Sequence, residues 1–289
     1  VEDSVVKALS KIIAIPLLSY CLVLAYLVVA QRSIIFVPSP PGATTPANYG
    51  LSYETVAIPV GTEGSLSAWW IKHAEMESKP TVVYCHGNGG TLSSYAYVAR
   101  IFYDLGWNAL IFDYRGYGTS SAPQELSEES VSKDADRAYR WVLERVPEQR
   151  VVIWGHSLGG AIAARLASQH SPAGLILEGA FPSLLQMAKA RYPLFPIREF
   201  MLKDSFDTAR YLKDQTFPKL FLHAERDEII PLSLGEELYA AAPLPKQQLI
   251  IKGVGHNDFP SVHEQYDYTI QSIVAEWISL SSPSPNESK

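Results

Sequence analysis

Cysteine is scarce in this chain of 289 residues: Cys21 and Cys85 are the whole complement. Two such residues make neither a disulfide framework nor a metal cluster. Both read as small buried hydrophobes, the usual place of a free cysteine. A cluster of lysine and arginine is also missing, and the net charge is −6. That excludes a nucleic-acid partner, which would need a basic stripe for its phosphates. Internal repeats and low-complexity blocks are absent as well. One or two ordinary globular domains remain for a chain of this length. Hydrophobic residues make up 47% of it, enough to build a core.

One stretch near the start stands apart. Between Lys11 and Arg32 no residue carries a charge, from Ile12 to Gln31. A helix of about 20 residues rises roughly 30 Å, the thickness of a bilayer's hydrocarbon core. Pro16 lies near its start, where a membrane helix tolerates it. Three readings fit: an uncleaved signal anchor, a cleaved signal peptide ending near Val28-Val29-Ala30, and a buried core helix. The anchor is favoured. The run exceeds a usual signal-peptide core and is apolar on every face. Residues 1–32 are therefore expected to form a single-pass membrane anchor. Lys7 and Lys11 precede the run and Arg32 alone closely follows it. The positive-inside rule then puts the main domain on the non-cytoplasmic side.

Residues 38–50 are rich in proline and glycine and mark an irregular connection. A hairpin is predicted next, with Tyr53–Pro59 and Leu66–Lys72 as strands. Short apolar strands then alternate with helices. The strands are Thr81–Cys85, Ala109–Asp113, Val151–Trp154, Leu175–Leu177, Leu220–His223 and Leu249–Lys252. Helices are predicted over Leu92–Leu105, after a Ser127 cap, over Ser157–Ser168 and over Val262–Leu280. Unalternating strands interleaved with helices predict an α/β fold, a mostly parallel sheet covered on both faces. The expected domain runs over 33–280. The polar tail 281–289 is expected to be disordered.

Ligands in such sheets bind outside the carboxyl ends of the strands. Gly155-His156-Ser157-Leu158-Gly159 lies between a predicted strand and a predicted helix. That is the context a G-x-S-x-G nucleophile elbow requires. The glycines on either side remove side chains that would clash with the strand and helix. Ser157 is therefore the predicted nucleophile. A serine nucleophile needs a base, and the base an orienting carboxylate. Histidines 170, 223, 256 and 263 follow Ser157. Only His256 lies in a flexible turn directly after a strand, so it is the predicted base. Asp227 follows the strand before it and is the predicted acid. Glu225, Glu228 and Glu178 are its rivals. The oxyanion is expected to take the backbone N–H of Leu158. A second N–H would come from His86-Gly87-Asn88-Gly89-Gly90, from Asn88 with Gly89 as runner-up. His86 itself reads as a structural hydrogen-bonder. This chemistry calls for no metal and no organic cofactor.

Together, His86-Gly87-Asn88-Gly89-Gly90, Asp113-Tyr114-Arg115-Gly116-Tyr117-Gly118-Thr119-Ser120, the elbow and Gly255-His256-Asn257-Asp258 resemble the α/β-hydrolase superfamily. The resemblance is to its membrane-anchored α/β-hydrolase-domain branch. That branch holds fungal cell-polarity hydrolases, bacterial relatives and animal protein depalmitoylases. The resemblance covers about residues 31–280. It implies an α/β-hydrolase fold and a serine hydrolase acting on ester, thioester or lipid-like acyl substrates near a membrane. It gives Asp113–Ser120 a structural place beside the site. It implies that the segment Phe181–Phe217 holds a short insertion, at about 182–217, in place of a large lid. Within it Tyr192-Pro193, Phe195, Phe200 and Met201 either line an acyl pocket or simply pack. The depalmitoylases' N-terminal cysteine cluster is absent here. Competing readings are a peptidase, a carbon–carbon bond hydrolase and a non-catalytic membrane-tethered binding protein. No oligomeric state follows from the sequence.

Overall fold

The computed structural model describes the backbone of residues 2–61, 64–121 and 125–281, with side chains from residue 13 onward in those stretches. An eight-stranded sheet organises the domain. Its strands are β1 (Glu54–Val60), β2 (Gly64–Ile71), β3 (Thr81–Cys85), β4 (Asn108–Phe112), β5 (Val151–His156), β6 (Gly174–Glu178), β7 (Lys219–Ala224) and β8 (Lys246–Ile251). Across the sheet they run β8-β7-β6-β5-β3-β4-β2-β1. Strands β3 to β8 are parallel. Strand β2 runs antiparallel to both β1 and β4. The predicted strands are thus all present, with ends shifted by a few residues.

The longer helices are α1 (Glu2–Val29), α2 (Ala96–Asp104), α3 (Glu128–Leu143), α4 (Leu158–Ala167), α5 (Leu184–Arg191), α6 (Leu232–Ala241) and α7 (Asp267–Ser281). Strands β3, β4 and β5 are buried at every residue. Side chains alternate between faces along a strand, so burial throughout means that both faces are covered. Val83, Leu110 and Ile153 pack with residues of α3 and α4. Val82, Ile111 and Trp154 pack with residues of α2 and α7. Helix α3 starts as expected, with the Ser130 amide donating to the Ser127 hydroxyl at 3.1 Å. Its buried stripe includes Val131, Ala135, Ala138 and Val142. The last helix begins later than predicted, at Asp267. Two short 3-10 turns, Phe259–Ser261 with Pro260 inside and His263–Gln265, occupy the approach.

Helix α1 carries Pro16, and from residue 13 onward most of its apolar side chains are exposed. Ile13, Leu17, Leu22 and Val29 are all more than half exposed. Among the described residues no helix is long and apolar enough to cross a membrane. The expected span Ile12–Gln31 begins at a residue whose side chain lies outside the description. Cys21 corrects an expectation: it is exposed, whereas Cys85 is buried. Among the described side chains of α1 only Leu24, Leu27 and Val28, all after Cys21, are part-buried. The expected tail lies outside the described residues apart from Ser281, which ends α7.

Candidate active site

The site gathers at the carboxyl edge of β3, β5, β7 and β8. Ser157 follows β5 directly, with φ 55° and ψ −123°. A residue with a Cβ holds such a conformation at about 1–3 kcal/mol, and only when its surroundings fix it. Here they do. The Ser157 amide donates to the Glu178 carbonyl at 2.8 Å, and the Gly160 amide donates to the Ser157 carbonyl at 2.9 Å. The flanking glycines are required by close approach. A Cβ on Gly155 would lie 2.3 Å from the Gly159 carbonyl oxygen, and one on Gly159 would lie 2.0 Å from that of Cys85. Ser157 therefore sits at the positive N-terminal end of α4.

The loops after β7 and β8 bring Asp227 and His256 together. His256 Nδ1 lies 2.7 Å from Asp227 Oδ2. The second carboxylate oxygen accepts from the amides of Ile229 at 3.0 Å and Ile230 at 2.7 Å. Burial opposes ionisation of Asp227. The hydrogen bond and charge of His256, with those two amides, overcome it and hold the carboxyl below its usual range. Ser157 and His256 line one cleft together with Asn88.

The rival carboxylates are engaged elsewhere. Glu228 accepts from the His256 backbone amide at 3.1 Å, and Glu225 from that of Gly253 at 2.9 Å. Both fix the loop that carries the histidine rather than its ring. Glu178 pairs with His156, Oε1 to Nδ1 at 3.0 Å, and accepts from the Trp154 indole at 2.8 Å. Burial disfavours charge on both Glu178 and His156. Their mutual attraction prevails, lowering the carboxyl and raising the imidazole from their usual ranges. The other histidines after Ser157 also have partners. His223 meets the Ile230 carbonyl at 3.0 Å, His170 meets Asp136 at 2.7 Å and His263 meets Asp267 at 3.0 Å.

Asn88 and Leu158 line the same apolar cavity as Ser157. The loop after β3 orients the Asn88 amide through its neighbours. His86 Nδ1 lies 2.8 Å from the Gly87 carbonyl oxygen. In a trans peptide the C=O and N–H point in opposite directions. Holding the Gly87 carbonyl toward His86 therefore turns the Asn88 N–H away from it. On the next peptide, the Asn88 carbonyl accepts from the Val37 amide at 2.9 Å and the Tyr117 hydroxyl at 2.7 Å. His86 is fully buried, and burial pushes its imidazole down to about 4. It is neutral at pH 7, with Nδ1 protonated to donate. Its Nε2 lies 3.5 Å from Asp113, whose carboxyl burial pushes up to about 7. Asp113 also accepts from the Leu92 amide at 2.8 Å, fixing the start of the turn before α2.

Two supports escaped the sequence reading. One is the His156–Glu178 pair, whose imidazole packs on that of His256 with ring centroids 5.0 Å apart. Its signal lay in the elbow itself and at the end of β6. The other is Arg115, which grips Asp134 with Nε and Nη2 at 2.9 and 2.6 Å. This buried pair ties the loop after β4 to α3 and has no local signature. The insertion segment divides. Tyr192 and Met201 line the cavity. Phe195 stacks on Tyr20 at 4.9 Å, and Phe200 is 88% exposed. The arrangement offers a strained hydroxyl and, in the same cleft, an imidazole held by a carboxylate.

Residues 80–200 match the profile of the alpha/beta hydrolase fold. An uncharacterised protein of Mycobacterium tuberculosis is 34% identical over 230 residues, covering 79% of this chain and 81% of its own length. Protein bem46 of Schizosaccharomyces pombe is 31% identical over 224 residues, 72% of this chain and 73% of that protein. The lysophosphatidylserine lipase ABHD12 of Danio rerio is 32% identical over 198 residues; the match spans only 51% of that protein. Among solved structures, the esterase Pf2001 of Pyrococcus furiosus superposes with a TM-score of 0.69 at 20% identity, over 84% of this chain and 98% of that one. That last likeness concerns the fold alone. The chain belongs to the α/β-hydrolase superfamily, in its α/β-hydrolase-domain branch.

Proposed function

We propose that the protein is a serine hydrolase that cleaves carboxylic ester or thioester bonds of acyl substrates through an acyl-enzyme on Ser157. The observation that carries this reading is Ser157 at a positive φ in a glycine-fixed elbow, sharing one cleft with His256, whose Nδ1 pairs with Asp227. In the mechanism, His256 takes the Ser157 proton as Oγ attacks the acyl carbonyl. The amides of Leu158 and Asn88 stabilise the oxyanion. The alcohol or thiol leaves with the proton from His256, and water then releases the acid by the same route. Asp227 stays ionised and holds the imidazole tautomer. The relative named a lysophosphatidylserine lipase supports ester hydrolysis as the reaction class.

We also infer that α1 holds this domain at a membrane through its exposed apolar side chains, with the domain on the non-cytoplasmic side. The uncharged run and the exposed apolar side chains of α1 support this, since contiguous apolar surface marks a lipid or protein contact. The test is a panel of esters and thioesters of varied acyl length, comparing wild type with Ser157→Ala. Turnover by wild type and none by the variant is expected; equal turnover by both would remove Ser157 from the chemistry. Alkaline carbonate washing should leave the full chain in the membrane fraction, and release into the supernatant would refute the anchor.

A further inference from the structure

Beside Ser157 lies a cavity of about 450 Å³ with mostly apolar walls. One wall is α5 with the segment after it, through Leu184, Met187 and Met201. The other belongs to the N-terminal helix. Leu24, Leu27 and Val28 line the cavity, and Gln31 continues their stripe just beyond the helix. Spacings of three, four and seven residues place all four on one helical face. Leu24, Leu27 and Val28 are half-buried, whereas Leu22, Val23 and Tyr26 on the same helix are exposed. From Leu24 to Gln31 this face is about 10 Å long.

The helix is locked to the opposite wall. Gln31 is buried, donates to the Met201 carbonyl at 3.1 Å and accepts from the Lys203 amide at 2.7 Å. Arg32 forks onto Asp204, with Nε and Nη2 at 2.8 and 3.2 Å. Tyr20 stacks on Phe195 and donates to the Leu194 carbonyl at 2.9 Å. An anchor serving only to tether would not need polar contacts spread from Tyr20 to Arg32. These contacts fix the distance between the two walls.

We propose that the last turns of the N-terminal helix are part of the active site, with Leu24, Leu27 and Val28 forming the wall that selects the acyl chain of a single-chain lipid ester. This rests on the reading of Ser157 as the nucleophile. The carbonyl sits at Ser157, and the chain lies between α1 and Met187 and Met201. Acyl-length preference is therefore set by a helix more than a hundred residues away in sequence. The cavity's size falls in the range of about 300–1,000 Å³ usual for small-molecule sites.

The test uses the full chain in detergent with p-nitrophenyl butyrate and p-nitrophenyl palmitate. Leu27→Trp and Val28→Trp fill the cavity. Each should lower the palmitate-to-butyrate ratio of kcat/KM at least tenfold, mainly by raising KM for palmitate. Leu27→Ala should move the preferred acyl length upward. Leu22→Trp, on the same helix but outside the cavity, should leave the ratio unchanged. Labelling of Ser157 by a small fluorophosphonate verifies that each variant is folded. A folded Leu27→Trp with the wild-type ratio overturns the proposal, as does a wild type that turns over butyrate but not palmitate. Failure of the nucleophile reading is separate: Ser157→Ala would then hydrolyse both esters like wild type.

Discussion

Around Ser157 the polar groups are held by strand ends and by their own neighbours in sequence, whereas the cavity beside it is walled by elements far apart in the chain. Ser157 is fixed by glycines two residues away, and Asp227 by the amides two and three residues on. The apolar wall joins Gln31 to Met201 and Arg32 to Asp204. Chemistry that tolerates little displacement is placed on the rigid sheet. Selection of the acyl chain is left to side chains on helices, where size can change without disturbing the elbow.

Breaking the polar side should have the largest effect. Asp227→Asn keeps the geometry but favours the wrong imidazole tautomer, and kcat should fall by about 10⁴. Steady-state kinetics with a short ester check this; a fall under tenfold would shift the role to another carboxylate. His86→Ala comes next. Without its hold on the Gly87 carbonyl the Asn88 amide loses its aim, and kcat should drop by about 10² with KM little changed. A change in KM alone would mean that the loop binds substrate rather than the transition state.

Asp113→Asn should act on stability, and only as pH changes. The folded pKa of Asp113 lies above its ordinary 3.8, at about 7. Its neutral carboxyl thus contributes fully below the unfolded value, and that contribution is lost as pH rises through the folded one. Asparagine stays neutral throughout. The variant's Tm should therefore gain on wild type by a few degrees between pH 4 and 7, at about 2–4 °C per kcal/mol for a domain of this size. A Tm difference constant over that interval would contradict a neutral Asp113.

The same contrast explains what was legible in the sequence. The elbow could be read because its needs are local: small residues at fixed offsets between a strand and a helix. His256 and Asp227 could be read because both directly follow parallel strands, where sites form. Chain order could not choose among Glu225, Asp227 and Glu228, which all lie between Ser157 and His256. The carboxylates' actual partners, a ring for one and backbone amides for the others, appear only in three dimensions. The acyl wall was hidden for a different reason. Leu24, Leu27 and Val28 sit inside a run apolar on every face, so their stripe has no contrast with its surroundings. The sequence leaves Phe195 and Phe200 as either pocket or packing residues; one braces Tyr20 and the other is exposed. Cys21 misled because an apolar neighbourhood in sequence is not burial in the fold.

The central claim is that Ser157 is the activated nucleophile of this site. Treating the full chain with a fluorophosphonate and mapping the adduct by peptide mass spectrometry tests it most directly. One phosphonylated residue is expected, Ser157, with labelling abolished in Ser157→Ala and strongly slowed in His256→Ala. An adduct on another residue, or labelling of the Ser157→Ala protein at the wild-type rate, would contradict it.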